Sequence, residues 1–406
     1  GAELVRKHAD SPVTVLAEAA LAALTWTDQP DLALPVLLAH AGGDRARVAL
    51  YAAGRAVRHI DPERLPDLLG PLLSGPVKVT SRKAAVRMLA DYGPPATMDI
   101  LRDAYRAGGQ HRDVRAAVVS VARRHLENPV SWEILDSASG GTREEVRAFL
   151  DVRPWSIAEE HRPRYAALIV GACRSADREI RREAFDELPP WTRWAGDVSA
   201  LVTDRVVDVG ESMTGHDIQD LVASGGTGWL GEALDRLLAL DAADPAPGGP
   251  GADRPARRRA EALIRATTTV IDSEVRAELR IPVRRMLGAP AYRSLAVLTL
   301  VDLGRLDDLD EIAGLCAGRP DLAARAADRA GTRLRQLPDL IDVAFLGPLI
   351  TRLTGRADPA GGLLAVALVR VGATFGWADP WRDRLLALRE HPEDAVREQA
   401  YSIDMT

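Results

Sequence analysis

The side chains of this sequence that could do chemistry are cations and indoles. Arg55, Arg87 and Arg153 stand at one recurring offset, Arg58 and Arg124 at an offset three residues further on, and Tyr51, Lys83 and Phe149 at one four residues earlier. Offsets separated by three and four share a face of an α-helix, so these residues predict a basic strip with rings beside it. Such a strip attracts phosphates or the carboxylates of an acidic segment. The alternative is an ordinary charged surface whose arginines pair with acids of the same chain. Tryptophan outnumbers phenylalanine eight to four. Trp155, Trp191 and Trp194 follow two consecutive interruptions of the helical pattern. There they could offer an aromatic patch to a partner or an exposed base, or plug the space that Pro154 and Pro189-Pro190 open in the packing.

Catalytic and metal signatures are missing. No His-Glu-x-x-His, paired Cys-x-x-Cys or Gly-x-x-x-x-Gly-Lys-Ser/Thr string occurs, and these mark zinc hydrolases and phosphate loops. Gly225-Gly226-Thr227-Gly228 lacks the lysine and reads as a helix break. The run Asp307, Asp308, Asp310, Glu311 lacks the glycine and distal glutamate of a calcium loop and reads as the solvated first turn of a helix around Ile312. Glu159-Glu160-His161 is a compact acid–base group, but successive residues point about 100° apart on a helix and cannot converge on one ligand. No catalytic residue, metal or cofactor is assigned.

An array of helices must position the strip. With Ile180 as reference, Ala184 and Leu188 follow at +4 and +8 as one buried stripe, Asp177 stands at −3 where it caps the helix, and Arg181 stands at +1. The same slot falls at Val146, Val114, Thr80, Val48 and Val15, at steps of 34, 32, 34, 32 and 33 residues. The +4 slot reads Ala19, Ala52, Ala84, Val118, Leu150, Ala184, mostly small residues that let helix axes approach closely. Breakers recur between helices at Gly42-Gly43, Gly75-Pro76, Gly93-Pro94-Pro95, Gly108-Gly109 and Gly140-Gly141. A period of this size marks a repeat architecture, in which each hairpin buries its apolar face only against its neighbour. In this register the basic strip lies about 60–120° from the centre of the buried stripe, on its flank.

The stretch Asp177-Arg178-Glu179-Ile180-Arg181-Arg182-Glu183-Ala184 resembles the HEAT-repeat family, whose second helix begins Asp-x-x-Val-Arg-x-x-Ala. Glu393 to Ala400 fits with Glu for Asp, Arg143 to Leu150 keeps Val146-Arg147 and an apolar +4 residue, and around Val48 and Thr80 the arginine is absent. The resemblance implies an all-α fold, a curved α-solenoid of stacked antiparallel helix pairs. It also implies that second helices line the concave side, so that the strip looks into a groove. The +1 arginines Arg115, Arg147 and Arg181 are expected to be structural, bonding acids and loop carbonyls of the adjacent repeat.

Composition agrees with an elongated array. Hydrophobic residues make up 47% of 406, aromatic residues only 4%, and the formal net charge of −6 gives no global basic signal. The two cysteines, Cys173 and Cys316, form no metal or redox spacing, which fits the cytoplasm. No apolar run approaches the ~18 residues of a membrane span. Regular repeats are expected over 1–190, an irregular helical centre over 191–243, a Pro/Gly-rich loop or linker over 244–256, and a second block of helix pairs over 257–406, with a longer loop near Thr354 to Gly362. Only about ten residues precede the first reference helix, so the first hairpin reads as truncated, a fragment of something longer or a tag remnant before a short helix.

These features point to a non-enzymatic interaction module that grips a protein or acidic peptide, with nucleic acid also open, through Tyr51, Arg55, Arg58, Lys83, Arg87, Arg124, Arg153, Trp155, Trp191 and Trp194. A second reading is a DNA-repair enzyme similar to the HEAT-like alkylpurine DNA glycosylases, against which the overall acidity counts. A third is a sensor array of a larger signalling protein.

Overall fold

The computed structural model describes residues 2–224, 228–244, 254–268, 273–336, 343–377 and 379–405. Every regular element among them is helical. Two compact units divide the chain, Gly1–Gly196 and Asp197–Thr406, and each is an α-solenoid of stacked helix pairs.

The first unit contains six hairpins: α1 (Ala2–Ala9) with α2 (Thr14–Leu24), α3 (Pro30–Ala39) with α4 (Ala46–Ala56), α5 (Leu65–Ser74) with α6 (Val79–Tyr92), α7 (Thr97–Arg106) with α8 (Arg112–Ala122), α9 (Pro129–Ser139) with α10 (Arg143–Leu150), and α11 (Arg162–Cys173) with α12 (Arg178–Glu187). The second helices pack in series, α2 on α4, α4 on α6, and so on to α12, and form one layer. The first helices form the other. Starts are fixed chemically. The Asp177 carboxylate accepts the Glu179 and Ile180 N–H groups at 2.8 and 3.3 Å, and Thr142 with Glu145 makes a capping box at the start of α10.

The buried stripe is shifted from the expected one in the first three copies. Val114, Val146 and Ile180 are buried as expected, but Val15 is 77% exposed, Thr80 is exposed and Val48 is half-buried. The inward slot is Ala17, Ala49, Ser81, Val114, Val146, Ile180, and its +4 positions, Leu21, Ala53, Ala85, Val118, Leu150 and Ala184, are all buried. The slip is two residues at Ala17 and one at Ala49 and Ser81, and each residue turns the stripe by about 100°. Aliphatic Val and Thr look like core residues in the sequence, yet small Ala and Ser hold the inward positions because the helices lie close together there. Ser81 is admitted because its hydroxyl donates to the Ala41 carbonyl of the preceding repeat.

Arginines tie one repeat to the next. Arg115 Nε donates to Glu145 Oε1 at 2.7 Å, and Arg143 and Arg147 both bond the Glu183 carboxylate. Arg181 instead bonds the Ser175 carbonyl in its own turn at 2.8 Å. Glu145 is fully buried. Burial pushes its carboxyl pKa up, but the Thr142 amide and the Arg115 guanidinium outweigh that and hold it below the ordinary carboxylate value.

The second unit runs through α13 (Ser199–Val207), α14 (Gly215–Ala223), α15 (Leu230–Ala243), α16 (Pro255–Thr267), α17 (Ser273–Met286), α18 (Arg293–Leu303), α19 (Leu309–Leu315), α20 (Pro320–Gln336), α21 (Val343–Gly355), α22 (Pro359–Gly372), α23 (Asp379–Arg389) and α24 (Asp394–Tyr401). The even-numbered helices α14 to α24 pack in series as one layer. α22 is buried nearly all round, which its sequence Leu363-Leu364-Ala365-Val366 predicts for a helix with neighbours on every side. Gly362 lets α24 approach it, since a Cβ there would overlap the Val396 side chain.

The longer loop expected near Thr354 to Gly362 is absent: α21 ends at Gly355 and α22 begins at Pro359. The acidic run leads into α19, but it is not simply solvated: Asp308, its side chain 15% exposed, bonds Arg280 and Arg284, Arg284 also bonds Glu311, and Arg356 bonds Asp310. Most of the Pro/Gly-rich stretch, 245–253, and the break at 225–227 lie outside the described residues. On either side of 245–253, buried Asp241 forms an ion pair with Arg254 at 3.0 Å and accepts hydrogen bonds from Arg257 at 3.2 Å and the Tyr292 hydroxyl at 2.8 Å, while Arg254 donates to the Asp241 and Asp244 carbonyls.

Candidate functional site

The corrected register changes where the basic strip points. Measured from the inward slot, Tyr51 and Lys83 fall at +2 and Arg55 and Arg87 at +6, about 160° from the centre of the buried stripe. They sit on the outward crest of the second helices, and the expected flank position is corrected accordingly. Phe149 does not share this face; it is fully buried in α10. Charge concentrates here despite the acidic chain. α4 carries Arg47 and Arg55 with no acid, α6 carries Arg82, Lys83 and Arg87 against Asp91, and α8 carries Arg112 and Arg115 against Asp113.

Lys83, Arg87 and Arg124 line one groove of about 670 Å³ across α6, α8 and α10. Its floor is small: Ala116, Ala117, Ser120 and Ala148 leave room that longer side chains would fill. Acids line it too, namely Asp91, Asp113, Glu144 and Asp151. Arg124 pairs with Asp91 at 3.4 Å, whereas among the described residues Lys83 and Arg87 make no ion pair. A second cleft of about 670 Å³ adjoins the first and shares Arg123, Arg124 and Asp151 with it. Arg153 and Trp155 line this cleft, and Arg153 is held by Glu187 at 3.0 Å.

Tyr51, Arg55 and Arg58 belong to neither cleft. Arg55 donates to the Tyr51 hydroxyl at 2.7 Å, and its guanidinium lies 4.6 Å from the Tyr51 ring and 5.4 Å from that of Trp26. Arg58 lies over Tyr92 at 5.8 Å. The sequence reading missed Trp26, which is 79% exposed; it stands just past the end of α2, as Arg58 stands just past the end of α4, so the repeat period carried the signal. It also missed Arg123, common to both clefts.

The three tryptophans divide between the two uses weighed for them. Trp191 is fully buried and stacks on Tyr165 with centroids 5.1 Å apart; Trp132 meets Tyr165 edge-on, and half-buried Trp194 meets Trp191 edge-on. These rings fill the core where Pro189-Pro190 interrupts α12, so Trp191 touches no ligand from the surface. Trp155, by contrast, is 75% exposed.

No protein-family model matches the chain, and no curated protein matches it. Several solved structures are similar at low identity. A chain in a homology model of the full-length AP-3 complex is 11% identical, with a TM-score of 0.43 over 98% of this chain and 89% of that one. A mutant of Kap121p is 13% identical, with a TM-score of 0.48 over 98% of this chain and 48% of that one. A chain from a study of the cadherin and beta-catenin interaction is 13% identical, with a TM-score of 0.33 over 98% of both. No described helix is long and apolar enough to cross a membrane.

Proposed function

We propose that residues 1–196 form a non-enzymatic interaction module whose second-helix face holds an acidic segment of a partner protein. The observation that carries this reading is the pair Lys83 and Arg87, two cations at i and i+4 that make no ion pair among the described residues, at the rim of an open groove with an alanine floor. Lys83 is half-buried and Arg87 exposed, and such long side chains keep their charged heads solvated cheaply, so their presence alone decides little. Their coincidence with small residues below them leaves space for a chain to lie within reach of both. The surrounding Arg124, Arg147 and Arg153 are committed to Asp91, Glu183 and Glu187, which fixes the groove walls and leaves Lys83 and Arg87, with Arg123 bonded among the described residues only to the Asp151 carbonyl, as the available charge. The proposed setting is the cytoplasm.

The test is fluorescence anisotropy of the full chain with a labelled oligoglutamate peptide and a duplex DNA of similar charge, across a salt series. The peptide should bind, more weakly as salt rises, and Lys83→Glu with Arg87→Glu should weaken it at least about tenfold. Unchanged binding in the double variant overturns the proposal. Duplex DNA binding that outcompetes the peptide would favour the nucleic-acid alternative.

A further inference from the structure

We propose that the partner segment is bipartite: an acidic stretch lies over Lys83 and Arg87, and an aromatic or large aliphatic side chain five or six residues along packs against Trp155. The inference rests on the groove reading above and adds the chemistry and spacing that the partner must carry.

Trp155 is held in solvent by a pinned turn. Its flanking residues Pro154 and Ile157 are buried. Arg162 Nε donates to the carbonyls of Pro154 and Ile157 at 2.9 and 3.2 Å, and the Ser156 hydroxyl donates to the Arg153 carbonyl at 2.7 Å. A frayed loop would let the indole fold down, as Trp191 does a repeat later; this turn prevents it. Covering so large a ring removes much apolar area from water, and tryptophans presented in this way carry a disproportionate share of binding energy. The cleft beside it has an apolar floor of Leu126 and Ile157, 6% and 7% exposed, and is roomy enough for a phenyl or indole group.

Charge sets the direction in which the segment lies. At the Trp155 end, Asp151, Glu127 and Glu160 line the cleft, and Arg153 and Arg124 already face Glu187 and Asp91. That end suits an uncharged ring. At the other end Asp91 and Glu144 are neutralised by Arg124 and Arg112, so Lys83, Arg87 and Arg123 outweigh Asp113 and Asp151 there, and that end suits the acids. The same distribution disfavours a nucleic-acid strand, whose evenly spaced phosphates would run past the three carboxylates. From α6 to the end of α10 is two helix-packing steps of about 8–10 Å each, so roughly 16–20 Å. An extended chain advancing about 3.3 Å per residue covers that in five or six residues.

The experiment uses labelled synthetic peptides in which four glutamates are separated from one phenylalanine by Gly/Ser spacers of two, five, eight or twelve residues, with alanine-for-phenylalanine controls. Binding to the full chain is read by anisotropy, with oligo(dT) as competitor. The five-residue spacer should bind tightest, about tenfold better than its alanine control. Trp155→Ala should abolish that increment while leaving the glutamate-dependent binding intact. If phenylalanine and alanine peptides bind alike, or the spacer has no effect, the inference fails while the acidic groove stands. If Lys83→Glu with Arg87→Glu changes nothing for any peptide, the groove reading itself fails. If oligo(dT) binds more tightly than every peptide and depends on Trp155, the occupant is a nucleic acid and the peptide assignment is wrong.

Discussion

Replacing Glu145 should loosen the first unit more than any surface contact can. Its carboxylate is fully buried, accepts the Thr142 N–H at 2.8 Å and receives Arg115 Nε from the preceding repeat at 2.7 Å. Glu145→Ala removes both bonds and leaves Arg115, one-third exposed, without its partner. Breaking a buried ion pair costs about 3–5 kcal/mol, but the partial exposure of Arg115 lets water recover some of that. Losing half of a capping box adds about 1 kcal/mol. A net loss of about 3 kcal/mol follows. Glu145→Gln keeps the shape and an acceptor for Thr142, so it should cost about half as much. Urea unfolding followed by tryptophan fluorescence reports on this unit, which contains Trp26, Trp132, Trp155, Trp191 and Trp194.

The sign with pH is fixed as well. Because the folded pKa of Glu145 is depressed, the stabilisation is complete above the ordinary carboxylate value and disappears as pH falls through the folded one. The gap between wild type and Glu145→Gln should therefore close in acid. If both variants unfold within about 0.5 kcal/mol of wild type at neutral pH, the arginine ladder does not hold the repeats together.

Three further outcomes follow from the geometry. Trp191→Ala should cost about 3–5 kcal/mol by opening a cavity against Tyr165, while Trp155→Ala should change stability by less than about 0.5 kcal/mol; thermal unfolding separates them. Ser81→Asp should destabilise the protein by several kcal/mol and Thr80→Asp should not, a contrast read from urea midpoints that checks which residue faces inward. His391 is 3% exposed, its Nδ1 accepts the Glu393 N–H at 3.2 Å, and burial pushes its pKa below the ordinary imidazole value. Its neutral form belongs to the folded state, so stability should fall as pH drops from about 6.5 through the lower folded value, and His391→Phe should flatten the difference between unfolding midpoints at pH 7.5 and 5.5.

The period, the breakers and the caps were legible because they are local: Asp177 and the Thr142–Glu145 pair act within one turn. Register was legible only where a β-branched aliphatic residue truly faces inward, as at Val114. It failed at Ser81, whose place in the core depends on a carbonyl forty residues earlier in the sequence. α14 was not placed individually within the helical centre, although Thr214 and Asp217 form its capping box and Ile218, Leu221 and Val222 form its buried stripe, because it stands outside the repeat period. The charge of the groove could be read from α6, but the commitment of Arg124 and Arg153 to Asp91 and Glu187 could not, since those pairs join different repeats. Nor could Trp155 be told from Trp191, as both follow proline and only the presence of Tyr165 beneath one of them separates their fates.

The Asp241 knot joins α15, the start of α16 and Tyr292 through side chains, whatever backbone runs from 245 to 253. Removing that one carboxylate would strip the Arg257 guanidinium and the Tyr292 hydroxyl of their common partner, so Asp241→Ala should slacken α15, α16 and α18 against one another together.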